Sequence, residues 1–321
     1  MKTIGFIKST MPEEKRVGLL PSDVKKIRHP EKLFFEKGYA EHICFSDDCY
    51  REAGAKIISR REMRKMDVIC APKRWATDKK VFSDGQALWG WLYVAHSPWL
   101  AKALVEKKMT GIAFEYMYHD TCDYVFPENR RITGIAGMMQ ALPYVGKPPE
   151  LLKKVALLGN GKVGAAVRLV LDKNQVQYEV FNSKNVSEFF LQIRDWEMII
   201  NCIKWDKPGQ FLITRRHISK MKPAAFIVDI TTEGIQGSRP QSIYSPVYNC
   251  KQVKIYNNEH IPTLWAGYAS EKISEALVPF VNDIVEELPN IILQKATVVL
   301  SGTPLDKRID SLLNNNCEAK I

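Results

Sequence analysis

The chain has 321 residues, 45% hydrophobic and 26% charged, a size and mix that predict two cored domains of ordinary globular composition. No run of 18 apolar residues is present and the first eight residues turn polar early, so neither a membrane span nor a signal peptide is expected and the chain reads as cytoplasmic. Seven cysteines without a C-x-x-C pair argue against zinc or a disulfide framework, and the +10 charge is spread over isolated doublets such as Lys25-Lys26, Lys79-Lys80 and Arg215-Arg216, which predicts a solvated basic surface rather than a nucleic-acid groove.

In chain order, short runs rich in branched and aromatic residues fall at residues 3–7, 68–71, 88–94, 111–114, 155–158, 178–181, 198–203 and 225–230, the length of buried strands. Helix-length stretches with charged faces lie between several of them, at residues 22–37, 98–107 and 163–173. Alternation of this kind predicts an α/β protein with parallel sheets covered by helices. Two segments read as joints. Residues 133–146 (TGIAGMMQALPYVG) are small and apolar and run into Lys147-Pro148-Pro149, which no helix continues through. Residues 271–288 place Ile273, Leu277, Phe280, Val281, Ile284, Val285 and Leu288 on one helical face, with Pro279 positioned to kink it. The tail, residues 314–321, is polar and expected to fray.

The strongest chemical signal is Gly159-Asn160-Gly161-Lys162-Val163-Gly164, directly after an apolar strand and opening a helical pattern. Gly159 permits the tight turn, Gly161 admits a pyrophosphate against bare backbone, and Gly164 lets helix and strand approach. The N–H groups at the helix start then hold phosphate. After the next strand, where an NAD site offers a carboxylate to the ribose 2′-hydroxyl, the chain has Asn182-Ser183-Lys184. With no acid to repel a 2′-phosphate and a cation nearby, NADP(H) is the expected cofactor; Lys184 as a plain turn residue is the alternative.

Candidate reacting groups sit at strand ends. Arg16 follows the first strand and can grip a carboxylate with two parallel bonds. Lys73, in Ala71-Pro72-Lys73, can act as acid or base once desolvated. Tyr93 and His96 follow residues 88–92, and Asp229 closes Phe226-Ile227-Val228. Each also reads blandly: surface charges for Arg16 and Lys73, a helix-start residue for His96, a cap for Asp229.

Together with residues 8–21 (KSTMPEEKRVGLLP), 111–115 (GIAFE), Ala136-Gly137, the glycine loop and Gly237-Ser238-Arg239-Pro240, these groups make the chain resemble the alanine dehydrogenase and pyridine nucleotide transhydrogenase superfamily. Gly90-Trp91, Trp205-Asp206 and His260-Ile261-Pro262 look most like its N5-(carboxyethyl)ornithine synthases. The resemblance implies two Rossmann-like domains with parallel sheets separated by a cleft and joined by helices: residues 1–135 plus 272–321 for substrate, 136–271 for NADP. It also implies an NADPH-dependent reductive condensation of an ornithine- or lysine-like amine with a 2-oxo acid such as pyruvate. In that reaction Arg16 holds the oxo acid's carboxylate, Lys73 polarises its carbonyl or shuttles protons, and Asp229 steadies the iminium. One departure stands out: the family places a histidine where this chain has Tyr93, which leaves Tyr93 or His96 to serve and the proton route open. The alternatives are an alanine- or saccharopine-type amino acid dehydrogenase and a non-catalytic NADP-binding sensor. Small-molecule partners, no nucleic acid, no membrane, no metal and a homo-oligomer (dimer or tetramer) are expected.

Overall fold

A computed structural model describes residues 1–73, 82–205, 207 and 210–318; Lys79-Lys80 and Asp206, singled out above, lie outside the described residues. The chain divides into two compact units, Met1–Phe126 with Ala266–Ile321 and Pro127–Trp265. The expected boundaries at residues 135/136 and 271/272 fall inside helices, Pro127–Ala141 and Ala266–Glu286, and the division comes at each helix's first residue. Among the described residues no helix is long and apolar enough to cross a membrane.

In the first unit, strands β1 (Ile4–Phe6), β2 (Leu33–Glu36), β3 (Lys56–Ile58), β4 (Val68–Lys73), β5 (Ala87–Trp91) and β6 (Thr110–Ala113) are parallel, in the spatial order β3-β2-β1-β4-β5-β6. The chain winds outward from β1 in one direction and then from β4 in the other, so the switch point lies between β1 and β4. Helices α1 (Pro21–Val24), α2 (Asp47–Glu52) and α3 (Pro98–Glu106) belong to these crossovers.

The second unit opens with α4 (Pro127–Ala141) and alternates β7 (Val155–Leu158), α5 (Lys162–Lys173), β8 (Glu179–Phe181), α6 (Val186–Leu191), β9 (Met198–Asn201), α7 (Arg215–Ile218) and β10 (Phe226–Asp229) before β11 (Val247–Cys250) and β12 (Val253–Asn257). Its order is β11-β12-β10-β9-β7-β8, with only β11 antiparallel among the described strands, and the switch point lies between β7 and β9. Helices α4 and α5 meet through small residues. A Cβ built on Gly134 would lie 2.6 Å from both Ala166 Cβ and the Val163 carbonyl oxygen.

The chain returns to the first unit with α8 (Ala266–Glu286), α9 (Ile291–Lys295), β13 (Thr297–Leu300), β14 (Thr303–Pro304) and α10 (Lys307–Glu318). β13 joins antiparallel to β6, so both sheets are parallel-dominated and mixed rather than purely parallel. The apolar face of α8 is consumed inside this unit: Ile273, Leu277, Phe280, Val281, Ile284 and Val285 pack into its core. That face therefore gives no reason of its own for a dimer.

Three expectations change. Residues 22–37 are not one helix: α1 stops at Val24, Pro30 opens a short turn, and Leu33–Glu36 form β2, because burial beside β1 outweighs weak helical periodicity. The strand expected at residues 88–94, β5, ends at Trp91, since Tyr93 takes a left-handed conformation with φ 46°. Strands β2, β3 and β11 to β14 went unread because they are short and carry mixed residues. Gly134→Ala should destabilise the protein by about 1–3 kcal/mol through overpacking, lowering its melting temperature in calorimetry. Gly161→Ala, whose Cβ meets nothing within 4 Å, should melt close to wild type.

Candidate functional site

The loop that follows β1 carries Glu14 and Arg16, both almost fully buried. Glu14 accepts from Arg16 Nε at 2.8 Å and from Nη2 at 2.6 Å, a two-point pair, and also from the Arg16 backbone N–H at 3.0 Å. Burial opposes the guanidinium's charge, but the facing Glu14 carboxylate outweighs it and pushes the Arg16 pKa up. The guanidinium also lies over the Trp91 ring, 5.2 Å from its centroid, and Trp91 Nε1 donates to Tyr124 Oη at 2.8 Å. The next residues are clamped from α8. Ser270 Oγ accepts the Val17 N–H at 2.9 Å and Ser274 Oγ the Leu20 N–H at 2.8 Å, while Ser274 donates to buried Asp23 at 2.5 Å. Sequence reading found Arg16 but missed Glu14 and the two serines; the i, i+2 spacing of Glu14 and Arg16 was the available hint.

Lys73 ends β4 and is buried. Its face is set by an irregularity in the strand. Cys70 pairs with Trp89 and Lys73 with Trp91, so β4 spends one residue more than β5 across this stretch. Pro72, which has no N–H to give the ladder, sits in that bulge. Side chains alternate along a strand, so with the residue count unchanged Lys73 would face the opposite side but for the bulge. With it, Lys73 shares the face of Trp91, on which Arg16 stacks. Ser9 Oγ donates to the Lys73 carbonyl at 3.0 Å and ties the β1 loop to this strand end.

Tyr93 turns away from the strand, with its N–H on Glu115 Oε1 at 2.6 Å and the Leu92 N–H on Oε2 at 3.1 Å. Its phenol remains close enough to bear electrostatically on Arg16. His96, three residues on, is exposed, and the charge it bears on is that of Asp306, just before α10. The structure thus gathers Arg16, Lys73 and Tyr93 about Trp91 and sets His96 at the surface of the same unit.

In the second unit the glycine turn joins β7 to α5 at the switch point. Gly159 has φ 100°, and a Cβ there would lie 3.1 Å from the Cys202 backbone. A Cβ on Gly164 would lie 2.2 Å from the Gly159 carbonyl oxygen, so no larger residue fits. Gly161 faces open space, and with Asn160 and Lys162 it is exposed, while Val163 is half-buried. Beyond β8, Asn182 Oδ1 accepts the Lys184 N–H at 2.8 Å and Asn185 Oδ1 accepts the Asn182 N–H at 2.7 Å. Asn182 is thus spent on turn geometry, which leaves Ser183 and Lys184 presenting exposed side chains.

Register lines up three polar residues at the strand ends: Asn201 of β9, Asp229 of β10 and Asn257 of β12, all buried. Asp229 Oδ1 accepts from Asn201 Nδ2 at 2.9 Å; Oδ2 accepts from Ser238 Oγ at 2.5 Å and Asn257 Nδ2 at 3.2 Å. The Thr232 backbone N–H adds a fourth donor. Asp229 is 0% exposed, so any influence it has on charge outside this network passes through the groups that surround it. The accessible carboxylate is Glu233, half-buried four residues later, whose Oε2 accepts the Trp205 N–H at 3.0 Å. Sequence reading missed Asn201, Asn257 and Glu233, because only strand register brings the asparagines beside Asp229.

Burial drives the Asp229 pKa up to about 6, despite hydrogen bonds from Ser238, Asn201 and the Thr232 backbone that lower it; Glu233 adds to the rise. A carboxyl raised above its unfolded value stabilises the fold when protonated, and that contribution fades as pH climbs through about 6. Asp229→Asn should therefore gain stability relative to wild type as pH passes from 4 to 8, by on the order of 3 kcal/mol in all, read as the pH dependence of the difference between their urea unfolding curves.

Comparison with known proteins adds the lineage. The profile described as Alanine dehydrogenase/PNT, N-terminal domain matches residues 5–125, and that described as Alanine dehydrogenase/PNT, C-terminal domain matches residues 152–307. The chain is 27% identical over 320 residues to the N(5)-(carboxyethyl)ornithine synthase of Clostridium botulinum, covering 90% of this chain and 99% of that one. It is 24% identical over 332 residues to the alanine dehydrogenase of Methanococcus maripaludis, covering 88% and 87%. A solved L-alanine dehydrogenase shares its fold with a TM-score of 0.79 over 98% of this chain and 99% of that chain, at 18% identity. Spanned by both domain profiles in order, the chain belongs to the alanine dehydrogenase/PNT family.

Proposed function

We propose that the chain is an NADPH-dependent oxidoreductase that reduces the imine formed between an amino acid amine, ornithine- or lysine-like, and a 2-oxo acid such as pyruvate, yielding an N-(carboxyalkyl) amino acid. The observation that carries this reading is the pairing of buried Arg16 and buried Lys73 on one face of β4 and β5, a guanidinium for a carboxylate beside an amine for a carbonyl. The near full-length match to a protein named N(5)-(carboxyethyl)ornithine synthase supports it.

The residues present fit the cofactor. Bare backbone at Gly161 opens onto space, and the N-terminus of the 12-residue α5 offers N–H groups to phosphate. Gly159, Asn160, Gly161, Lys162, Val163 and Gly164 would line the pyrophosphate, and Ser183 and Lys184 would hold a 2′-phosphate on the turn that Asn182 shapes. When bound, a reduced nicotinamide supplies the hydride. Arg16 binds the oxo acid's carboxylate through the guanidinium edge that Glu14 orients. Lys73 gives a proton to the carbonyl oxygen as it leaves as water during condensation with the amine. Glu233 steadies the cationic nitrogen, and Asp229 keeps the segment that bears Glu233 in place. Tyr93 donates a hydrogen bond to the substrate oxygen, with His96 as the nearby solvent-side exchanger.

A second reading, an amino acid dehydrogenase that uses ammonia as the amine, draws on the relatives named alanine dehydrogenase. A screen of amino acids and ammonia against pyruvate, 2-oxoglutarate and glyoxylate, following NADPH absorbance and product mass, separates the two; ammonia alone supporting turnover would favour the second. NADPH binding with no turnover of any pair would mark a sensor. NADPH should outcompete NADH, and Lys184→Glu should erode that preference by about 10- to 100-fold through loss of a charge-assisted contact; equal efficiency of both cofactors in wild type would refute the assignment. Lys73→Ala should cut turnover by at least about 100-fold and leave NADPH affinity, measured by fluorescence titration, unchanged.

A further inference from the structure

Asn201 touches more of the second unit's strand-end network than any role above requires. It closes β9 between Leu158 of β7 and Asp229 of β10 and is 1% exposed. Its Nδ2 lies 2.9 Å from Asp229 Oδ1, 3.1 Å from Thr231 Oγ1 and 2.8 Å from the Glu233 carbonyl oxygen, while its Oδ1 accepts the Ile203 N–H at 3.2 Å. Thr231 in turn donates to the Ile203 carbonyl at 2.9 Å. Two amide hydrogens thus serve three acceptors, and the amide oxygen serves a fourth group. Between the anchored residues, Thr232 holds φ 61°, a left-handed conformation that a β-branched residue adopts only under restraint. The residue after Asn201, Cys202, is the one whose backbone lies against Gly159.

We propose that Asn201 is a positioning residue: it fastens residues 231–233 to the glycine turn so that Glu233 stands at a fixed place relative to a bound dinucleotide. The inference rests on the function proposed above for its catalytic consequence and on geometry alone for its structural one. An asparagine is needed because the position must donate and accept at once. Alanine leaves Asp229 Oδ1 and the Glu233 carbonyl short of a donor, and aspartate sets a second carboxylate against Asp229. The titratable groups facing this position are Asp229 from β10, Glu233 from the segment after it, and Cys202, whose thiol pKa burial pushes up with help from Asp229.

The test uses the full-length protein with Asn201→Ala and Asn201→Asp. In Asn201→Ala, amide hydrogen exchange at residues 231–234 should quicken by about 10-fold or more, while the core of β7 and β10 keeps its protection. Its kcat for the amine and oxo-acid pair should fall about 10- to 100-fold, with NADPH binding little changed. In Asn201→Asp, the paired carboxylates share one proton at low pH, and the protonated oxygen can donate as the amide did. Its kcat should therefore rise toward acid and fall as pH increases, a limb that wild type and Asn201→Ala lack; melting curves across the same range separate this from unfolding. Unchanged exchange at residues 231–234 in Asn201→Ala overturns the inference, as does an unchanged kcat in an active enzyme. If wild type turns over no pair, the functional reading fails, and exchange alone still decides Asn201. If Asn201→Ala does not fold, the pH limb of Asn201→Asp decides it: its absence counts against the proposal and its presence supports it.

Discussion

A carboxylate with no water around it has to be compensated by fixed dipoles, and in the second unit that necessity organises the whole strand-end edge. Asp229 gathers donors from β9, from β12, from Ser238 and from the backbone of Thr232. Each donor is thereby located. Asn201 fixes the segment after β10, and Ser238, held by both Asp229 and Asn257, fixes the loop leading toward β11. The network costs desolvation energy and returns definition, since every member has lost its freedom to turn. Half-buried Glu233 owes its place to a carboxylate that faces nothing but its own partners.

The first unit meets the same demand with the opposite sign. Arg16 is withdrawn from water and matched by Glu14, and the loop that carries both is pinned by serines of α8, a helix more than 250 positions away in sequence. Long-range hydrogen bonds of this sort explain why the C-terminal segment belongs to the first unit: the loop has no regular structure of its own between β1 and α1 and takes its shape from that helix. In both units the polar chemistry lies at the carboxyl ends of parallel strands, beside the point where the winding reverses, where no crossover helix covers the sheet.

Much of this was legible in the residues. Val155–Leu158 and the glycines after it announced strand, turn and helix, because each glycine answers a local steric demand. Arg16 and Lys73 were visible as charges at strand ends. What stayed hidden was everything set by register or by distant partners. Asn201 and Asn257 carry no local mark; they matter because parallel pairing places them on either side of Asp229. Glu36 and Leu33 looked helical beside the lysines near them, and only neighbouring strands make that segment β2. Asp229 itself was found by position, while its full enclosure was not legible, since nothing in a sequence says how many donors will close over a carboxylate.

The irregularity at Pro72 makes the side to which Lys73 belongs a matter of counting rather than chemistry. Straightening the strand with every residue from Cys70 to Lys73 retained would leave the same lysine at the same place in the chain, yet hand its ammonium to the far side, among the aliphatic residues packed beneath. Any chimera or redesign grafted through this strand keeps the lysine on its side of the sheet, or loses it, according to whether the bulge is carried along.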